Sequence, residues 1–184
     1  STEYAVTILH DTLDPSPGSA ALVTGKGSAS SMEAALINAT AAHALDYDDV
    51  ALGSHPSAVL VPAILAEAQS LDLSGKDMLT AYLAGYEVWA DLVAREPESL
   101  HTKGWHPTGI YGAVAAAAAC ASLHRLDAGR ATHAIGIGAS QGAGLMANFG
   151  SMTKPLHCGR AAQAGILAAR LAGAGFTSAP DALE

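Results

Sequence analysis

Apolar residues recur at helical spacing through most of this chain, and short polar clusters interrupt them at only a few places. Thr2 to Leu13 reads as a short helix, and the Pro-, Gly- and Ser-rich stretch from Asp14 to Ser31 has room for one short strand around Ala20 to Thr24. Ser30 and Glu33 form a capping-box pair, in which hydroxyl and carboxylate each satisfy a backbone N–H near the helix start. From there Ala34, Ala35, Ile37, Asn38, Ala41, Ala42 and Leu45 keep helical spacing up to the acids at 46–49, where the helix is expected to stop. A loop holding Gly53 and His55 leads to a second helix from Ser57 to Gln69, and Ser74 with Asp77 caps a third that runs to Arg95. The polar stretch Glu96 to Trp105 contains Pro97 and reads as a loop. Pro107 opens an Ala-rich helix to His124, and Asp127 caps another to Gln141. Gly142 to His157 reads as irregular, and a last helix spans Gly159 to Ala174. No repeat, heptad or strand alternation appears. The pattern predicts an all-α helical bundle, one domain over residues 1–184 with a less regular segment at 1–31, and chemistry placed at helix ends.

Composition sharpens this. With 184 residues and 50% hydrophobic content the chain can bury a substantial core, while 5% aromatics and abundant Ala and Gly favour helices packed closely through small side chains. Such helices often need further surface to cover them. The apolar run Ile110 to Leu123 is mostly alanine and too short for a membrane span, and no charged-then-apolar leader opens the chain, so a soluble, cytoplasmic protein is expected. Cys120 and Cys158 have neither disulfide-framework nor zinc-ribbon spacing and are read as reduced. A net charge of -8 with only nine Lys and Arg argues against a nucleic-acid partner. An anionic substrate would need a local positive pocket to overcome that field.

With 14% charged residues there are few ionisable groups to place, and three polar segments concentrate them: 43–56, 103–107 and 152–159. At helical spacing Asp46 and Asp49 would share a face with His43 while Asp48 points elsewhere. Acids at a helix C-terminus are disfavoured by the macrodipole, so they suggest a general base, or an acid that orients one, beside His55. A solvated helix end with an Asx turn would look the same. His55 and His106 each precede a proline, which holds the backbone extended just before a helix and fixes the imidazole angle. They suit proton transfer or, when charged, carboxylate binding, although a surface or structural role is open to each. Lys154 suits recognition of a carboxylate or phosphate, or simply adds a solubilising charge. The glycines from Gly136 to Gly144 lack the strand context of a nucleotide fingerprint and are better explained by helix packing. The rival is a metal site drawn from His43, Asp46, Asp49, His55, His106 and His157, but no diagnostic ligand spacing supports it and a nearby lysine is no ligand at neutral pH.

These segments together resemble the MmgE/PrpD family, the group that includes 2-methylcitrate dehydratase, cis-aconitate decarboxylase and iminodisuccinate epimerase. The resemblance is carried by Ala42-His43-Ala44-Leu45-Asp46-Tyr47-Asp48-Asp49, His55-Pro56-Ser57, Gly85-Tyr86-Glu87-Val88, Trp105-His106-Pro107-Thr108 and Thr153-Lys154-Pro155-Leu156-His157 with Gly159. It implies an all-helical domain that full-length members join to a second α+β domain, absent from this chain, with the active site between the two. It also implies homodimers, small di- or tricarboxylate substrates, and no metal or organic cofactor. Asp46, His55, His106 and Lys154 fall on catalytic positions, and Lys154, His106, His157 and Lys103 are assigned to substrate binding. Val50 stands where decarboxylase-type relatives carry a threonine, and the loop to His55 is one residue shorter. The expected reaction is dehydration by a 2-methylcitrate dehydratase-like carbon–oxygen lyase, with decarboxylation or epimerisation as same-family alternatives. A non-catalytic helical dimerisation module is the alternative of another class.

Overall fold

A computed structural model describes residues 2–25 and 27–184. Among these, α1 (Thr2–Leu13) precedes a two-stranded antiparallel hairpin, β1 (Ala20–Ala21) with β2 (Ser28–Ala29), in which Ala20 pairs with Ala29. Then come α2 (Ser31–Ala42), α3 (Pro56–Ser70), α4 (Gly75–Arg95), α5 (Pro107–Leu123), α6 (Ala128–Ala139), a 3₁₀ turn at Met146–Asn148, and α7 (Thr153–Gly173). The all-α class holds, and the one strand expected at 20–24 is instead the first half of the small hairpin. No described helix is long and apolar enough to cross a membrane.

Local chemistry explains where the helices start. Both capping boxes form, Ser30 with Glu33 on α2 and Ser74 with Asp77 on α4, and the Asp127 side chain accepts from the Arg130 N–H on α6. The last helix begins at Thr153, six residues before the expected Gly159. Pro155 there occupies the first turn, where its missing N–H costs no hydrogen bond, so the proline that reads as a loop residue is compatible with the helix. Lys154 and His157 therefore stand three residues apart on a helix rather than in a loop.

The Ala-rich α5 is the centre of the bundle, with Ala113 to Ala121 all buried, and it packs against α3, α4, α6 and α7. Small residues set the spacing. A Cβ added at Gly165 on α7 would lie 2.3 Å from Ala116 Cβ and 2.5 Å from the Ala116 carbonyl carbon, and backbone cannot move aside as a side chain can. Gly138 meets Ala113 and Ala117 in the same way, so the glycine run serves packing as its sequence suggests. Gly165→Ala is expected to destabilise the fold by about 1–3 kcal/mol, the usual cost of overpacking. A urea midpoint equal to that of the native protein would show that the two helices are not in backbone contact.

Among the described residues one carboxylate is fully enclosed. Glu67 on α3 is fully buried and receives both Nε and Nη2 of Arg170 from α7 at 2.8 Å and Nε2 of His124 from the end of α5 at 2.7 Å. Arg170 also donates to Ser31 Oγ at the start of α2, so four helices meet at this carboxylate. Cys120 and Cys158 are buried free thiols, and burial raises both their pKa values.

Candidate active site

Three segments converge at one end of the bundle: the 43–55 loop between α2 and α3, the entry to α5, and the first turns of α7. The chain leaves α2 at His43, and Asp46 then adopts the left-handed conformation at φ 54, which aspartate tolerates better than most residues. This turn abolishes the helical register expected for the acids. Asp48, not Asp49, meets His43, with Oδ2 2.9 Å from its Nδ1.

Asp49 serves the backbone instead. Its carboxylate accepts from the Ser57 N–H at 3.2 and 3.3 Å and from Ser57 Oγ at 2.9 Å, and so caps α3. His55 is the residue at the N-cap position of α3, yet its side chain makes no capping bond. Asp49 supplies that bond and leaves the imidazole available. His55 Nδ1 then lies 2.9 Å from the Asp49 carbonyl oxygen and 3.3 Å from Asp48 Oδ2, while Nε2 lies 3.6 Å from Asp46 Oδ1.

The second and third segments are tied together by backbone. The His106 N–H donates to the Gly144 carbonyl at 3.0 Å, and Met146 N–H to Gly104 at 2.9 Å. Gly144, at φ 140, has no Cβ to fill the space beside the His157 ring and His106 Cβ, both about 3.1–3.2 Å from where one would stand. That gap lets His106 Nδ1 approach His157 Nδ1 to 3.1 Å, so one ring donates and the other accepts. His106 also stacks on His43 at 5.7 Å between centroids and lies edge-on to Phe149 at 4.9 Å.

Lys154 completes the cluster. Its Nζ lies 2.7 Å from Asp46 Oδ2 and 5.1 Å from the centre of the Phe149 ring. Its side chain is only 13% exposed, whereas that of Asp46 is 56% exposed. His43, Asp46, Ser151, Met152 and Lys154 line a cleft of about 440 Å³. Two of its lining residues, Leu45 and Met152, are large exposed apolar side chains, and Tyr47 and Val50 on the 43–55 loop are exposed as well.

The hydrogen bond from Lys154 holds the Asp46 carboxyl below its usual pKa, so Asp46 is ionised at neutral pH. Burial pushes His106 down to about 3, reinforced by the neighbouring His43, His157, Lys154 and His55. Burial also lowers His43, against the pull of Asp48, and lowers His157. These three imidazoles are uncharged at pH 7. Of the roles the sequence left open for His106, the neutral ring suits proton exchange or a dipolar N–H contact better than charged binding of a carboxylate.

Of the residues singled out in the sequence, Asp46, His55, His106, His157 and Lys154 come together, with Asp46 and Lys154 on the cleft wall and the histidines around them. Lys103 does not join them. Its ammonium pairs with Glu96 at 2.8 Å. His43, considered in the sequence only as a metal ligand, and Asp48, read there as pointing elsewhere, also join the cluster. Their signal was a histidine closing an apolar helix five residues before an aspartate, a spacing that becomes contact only once the helix ends. Ligand-type atoms of His43, Asp46, Asp48 and His55 lie within 4.8 Å of one another, a set chemically able to hold a cation, and Asp49, His106 and His157 stand outside it. The Lys154 ammonium already supplies positive charge at Asp46 and would repel a dication there.

Comparison with known proteins follows the same residues. The MmgE/PrpD N-terminal domain model matches residues 2–184. Cis-aconitate decarboxylase of Homo sapiens is 35% identical over 158 residues, covering 82% of this chain and 33% of that protein. The Mus musculus enzyme of the same name is 34% identical over 76% of this chain and 30% of its own length, and that of Aspergillus terreus 32% over 82% and 33%. This chain thus spans about a third of the relatives it matches. A profile that runs through all three converging segments, and relatives that keep a third of the residues, have one reading: the chain belongs to the MmgE/PrpD family, as its N-terminal helical domain.

Proposed function

We propose that this domain supplies the acid/base half of a lyase that acts on small tricarboxylates without a metal or organic cofactor. The observation that carries the reading is Lys154, a nearly buried ammonium in a cleft whose partner carboxylate, Asp46, is itself half exposed. A substrate carboxylate can take the place of one Asp46 oxygen on Lys154. Charge that develops on the carbon next to that carboxylate is then neutralised where it forms, which favours the transition state over the ground state. In decarboxylation the bond to the departing CO₂ breaks, its electron pair stays on the carbon skeleton, and a proton must reach carbon from the protein. Asp46, ionised at rest, is suited to orient Lys154 and His55 rather than to act as that acid.

Relatives named as cis-aconitate decarboxylases favour loss of CO₂ over the loss of water that the sequence alone put first. Dehydration of a 2-methylcitrate-like acid is the second reading, and Val50 in place of the decarboxylase-type threonine removes one hydroxyl contact and so bears on which acid is bound more than on the reaction type. Leu45, exposed on the cleft, and Tyr47 and Val50, exposed on the same loop, suit a face covered by another protein surface, in keeping with the two-domain homodimer that the resemblance implies. The test uses the natural full-length protein, incubated with cis-aconitate, 2-methylcitrate and iminodisuccinate after exhaustive chelation. CO₂ release is expected. Water loss or epimerisation instead would move the assignment within the family, restoration of activity only by a divalent ion would show a metal enzyme, and no turnover on any acid would favour a binding module.

A further inference from the structure

We propose that His43 is a further substrate-contacting residue, whose Nε2 accepts a hydrogen bond from an O–H of the bound acid, and that Asp48 is the positioning residue that keeps that nitrogen unprotonated. The inference rests on the reading of the cleft as a tricarboxylate site.

The geometry fixes the tautomer. His43 Nδ1 faces carboxylate oxygens, Asp48 Oδ2 at 2.9 Å and Asp46 Oδ1 at 3.8 Å, and an ionised carboxylate only accepts. Nδ1 must therefore carry the hydrogen. A neutral ring has only one, so Nε2 is left with a bare lone pair. The His43 side chain is fully buried, and Nε2 has no hydrogen-bond partner among the described residues. Its neighbours supply no donor: the His106 ring stacks against its face and the His55 ring tilts at 4.6 Å. Yet His43 is one of the residues that line the cleft beside Asp46 and Lys154.

A buried polar atom without a partner is costly, and one in a residue that borders a ligand cleft would be relieved by a ligand whose binding opened the cleft onto it and brought the missing donor. Lys154 can only donate, and Asp46 and Asp48 repel a carboxylate. The complementary group for Nε2 is thus an O–H, from an alcohol or from a protonated carboxyl. Such a bond selects its ligand because an analogue without the donor leaves Nε2 unpaired again.

The test is calorimetric titration of the natural full-length protein with citrate, tricarballylate, which lacks only the hydroxyl, and cis-aconitate, each in two buffers of different ionisation enthalpy. His43→Asn keeps an amide donor toward Asp48 but removes Nε2, and binding should weaken roughly threefold to tenfold. A loss confined to citrate identifies the alcohol as the donor. A loss for all three acids, with proton uptake in the wild type that falls in the variant, identifies a carboxyl. Asp48→Asn preserves the ring packing but can donate to Nδ1, which moves the imidazole hydrogen to Nε2 and should give the same selective loss; it keeps the test decisive if His43→Asn does not fold. Unchanged affinities in a folded His43→Asn or Asp48→Asn protein, with Lys154→Met still impaired, would overturn the role of His43 alone. If Lys154→Met also bound all three acids normally, the tricarboxylate reading itself would fall.

Discussion

Lys154→Met is expected to bind tricarboxylates about ten- to a hundredfold more weakly than the native protein, because a charge-assisted hydrogen bond contributes roughly 1.5–3 kcal/mol. The fold should persist. Methionine keeps much of the apolar stem and gives up the ammonium's place over the Phe149 ring, and the ammonium's only direct ion pair among the described residues is with Asp46, a half-exposed group that water can solvate. Turnover should fall further than affinity if the contact to the reacting carboxylate tightens as charge develops. A second signature separates this from a general loss of charge. The Lys154 hydrogen bond is the main reason that Asp46 titrates low, so in the variant the Asp46 pKa rises toward its ordinary value. Any acidic limb of the pH–activity profile that reports Asp46 then moves to higher pH. Native affinity and an unmoved limb in a folded variant would mean that Lys154 does no more than solvate the end of α7.

What the sequence revealed and what it hid divide along physical lines. Patterns decided by nearest neighbours were legible: Ser30 with Glu33, Ser74 with Asp77, and prolines at 56 and 107 opening helices behind two histidines. The alanine and glycine content announced close helix packing, and Gly165 against Ala116 is that packing in detail. The errors came where a residue's role depends on the path of the chain. Asp46 in a left-handed turn rotates the acids out of helical register, so the partner of His43 is Asp48, and Asp49 becomes the cap that His55 does not provide. Pro155 reads as a break but fits a first turn, which moves Lys154 and His157 onto one helix. Burial was the other hidden variable. A motif shows that His106 is present but not that it is enclosed, and enclosure is what keeps it neutral.

The largest effect on stability is expected away from the cleft, at Glu67. Local sequence gives no hint of it, because its partners Ser31, His124 and Arg170 come from three other helices. Burial alone would raise the Glu67 pKa, but hydrogen bonds from His124, Arg170 and Ser31 outweigh it and pull the value from 4.5 to about 2. A carboxyl whose pKa is depressed by folding binds protons more readily in the unfolded chain. Its stabilising contribution is therefore complete above about pH 4.5 and is lost as pH falls from there toward about 2. The size of that shift corresponds to about 3 kcal/mol. Glu67→Gln keeps the shape but leaves the guanidinium of Arg170 without its counter-charge, and breaking a buried pair from one side typically costs about 3–5 kcal/mol. Arg170 is 37% exposed, so water recovers part of its solvation and the lower end of that range is expected. Urea denaturation followed by circular dichroism at pH 7 and pH 3 checks both points. The variant should be less stable at pH 7 and should lose less than the native protein on acidification, so the two curves converge. If instead both proteins lost the same stability between pH 7 and pH 3, the acid sensitivity of the bundle would have to arise elsewhere, and the four-helix junction at Glu67 would be a packing feature rather than an electrostatic one.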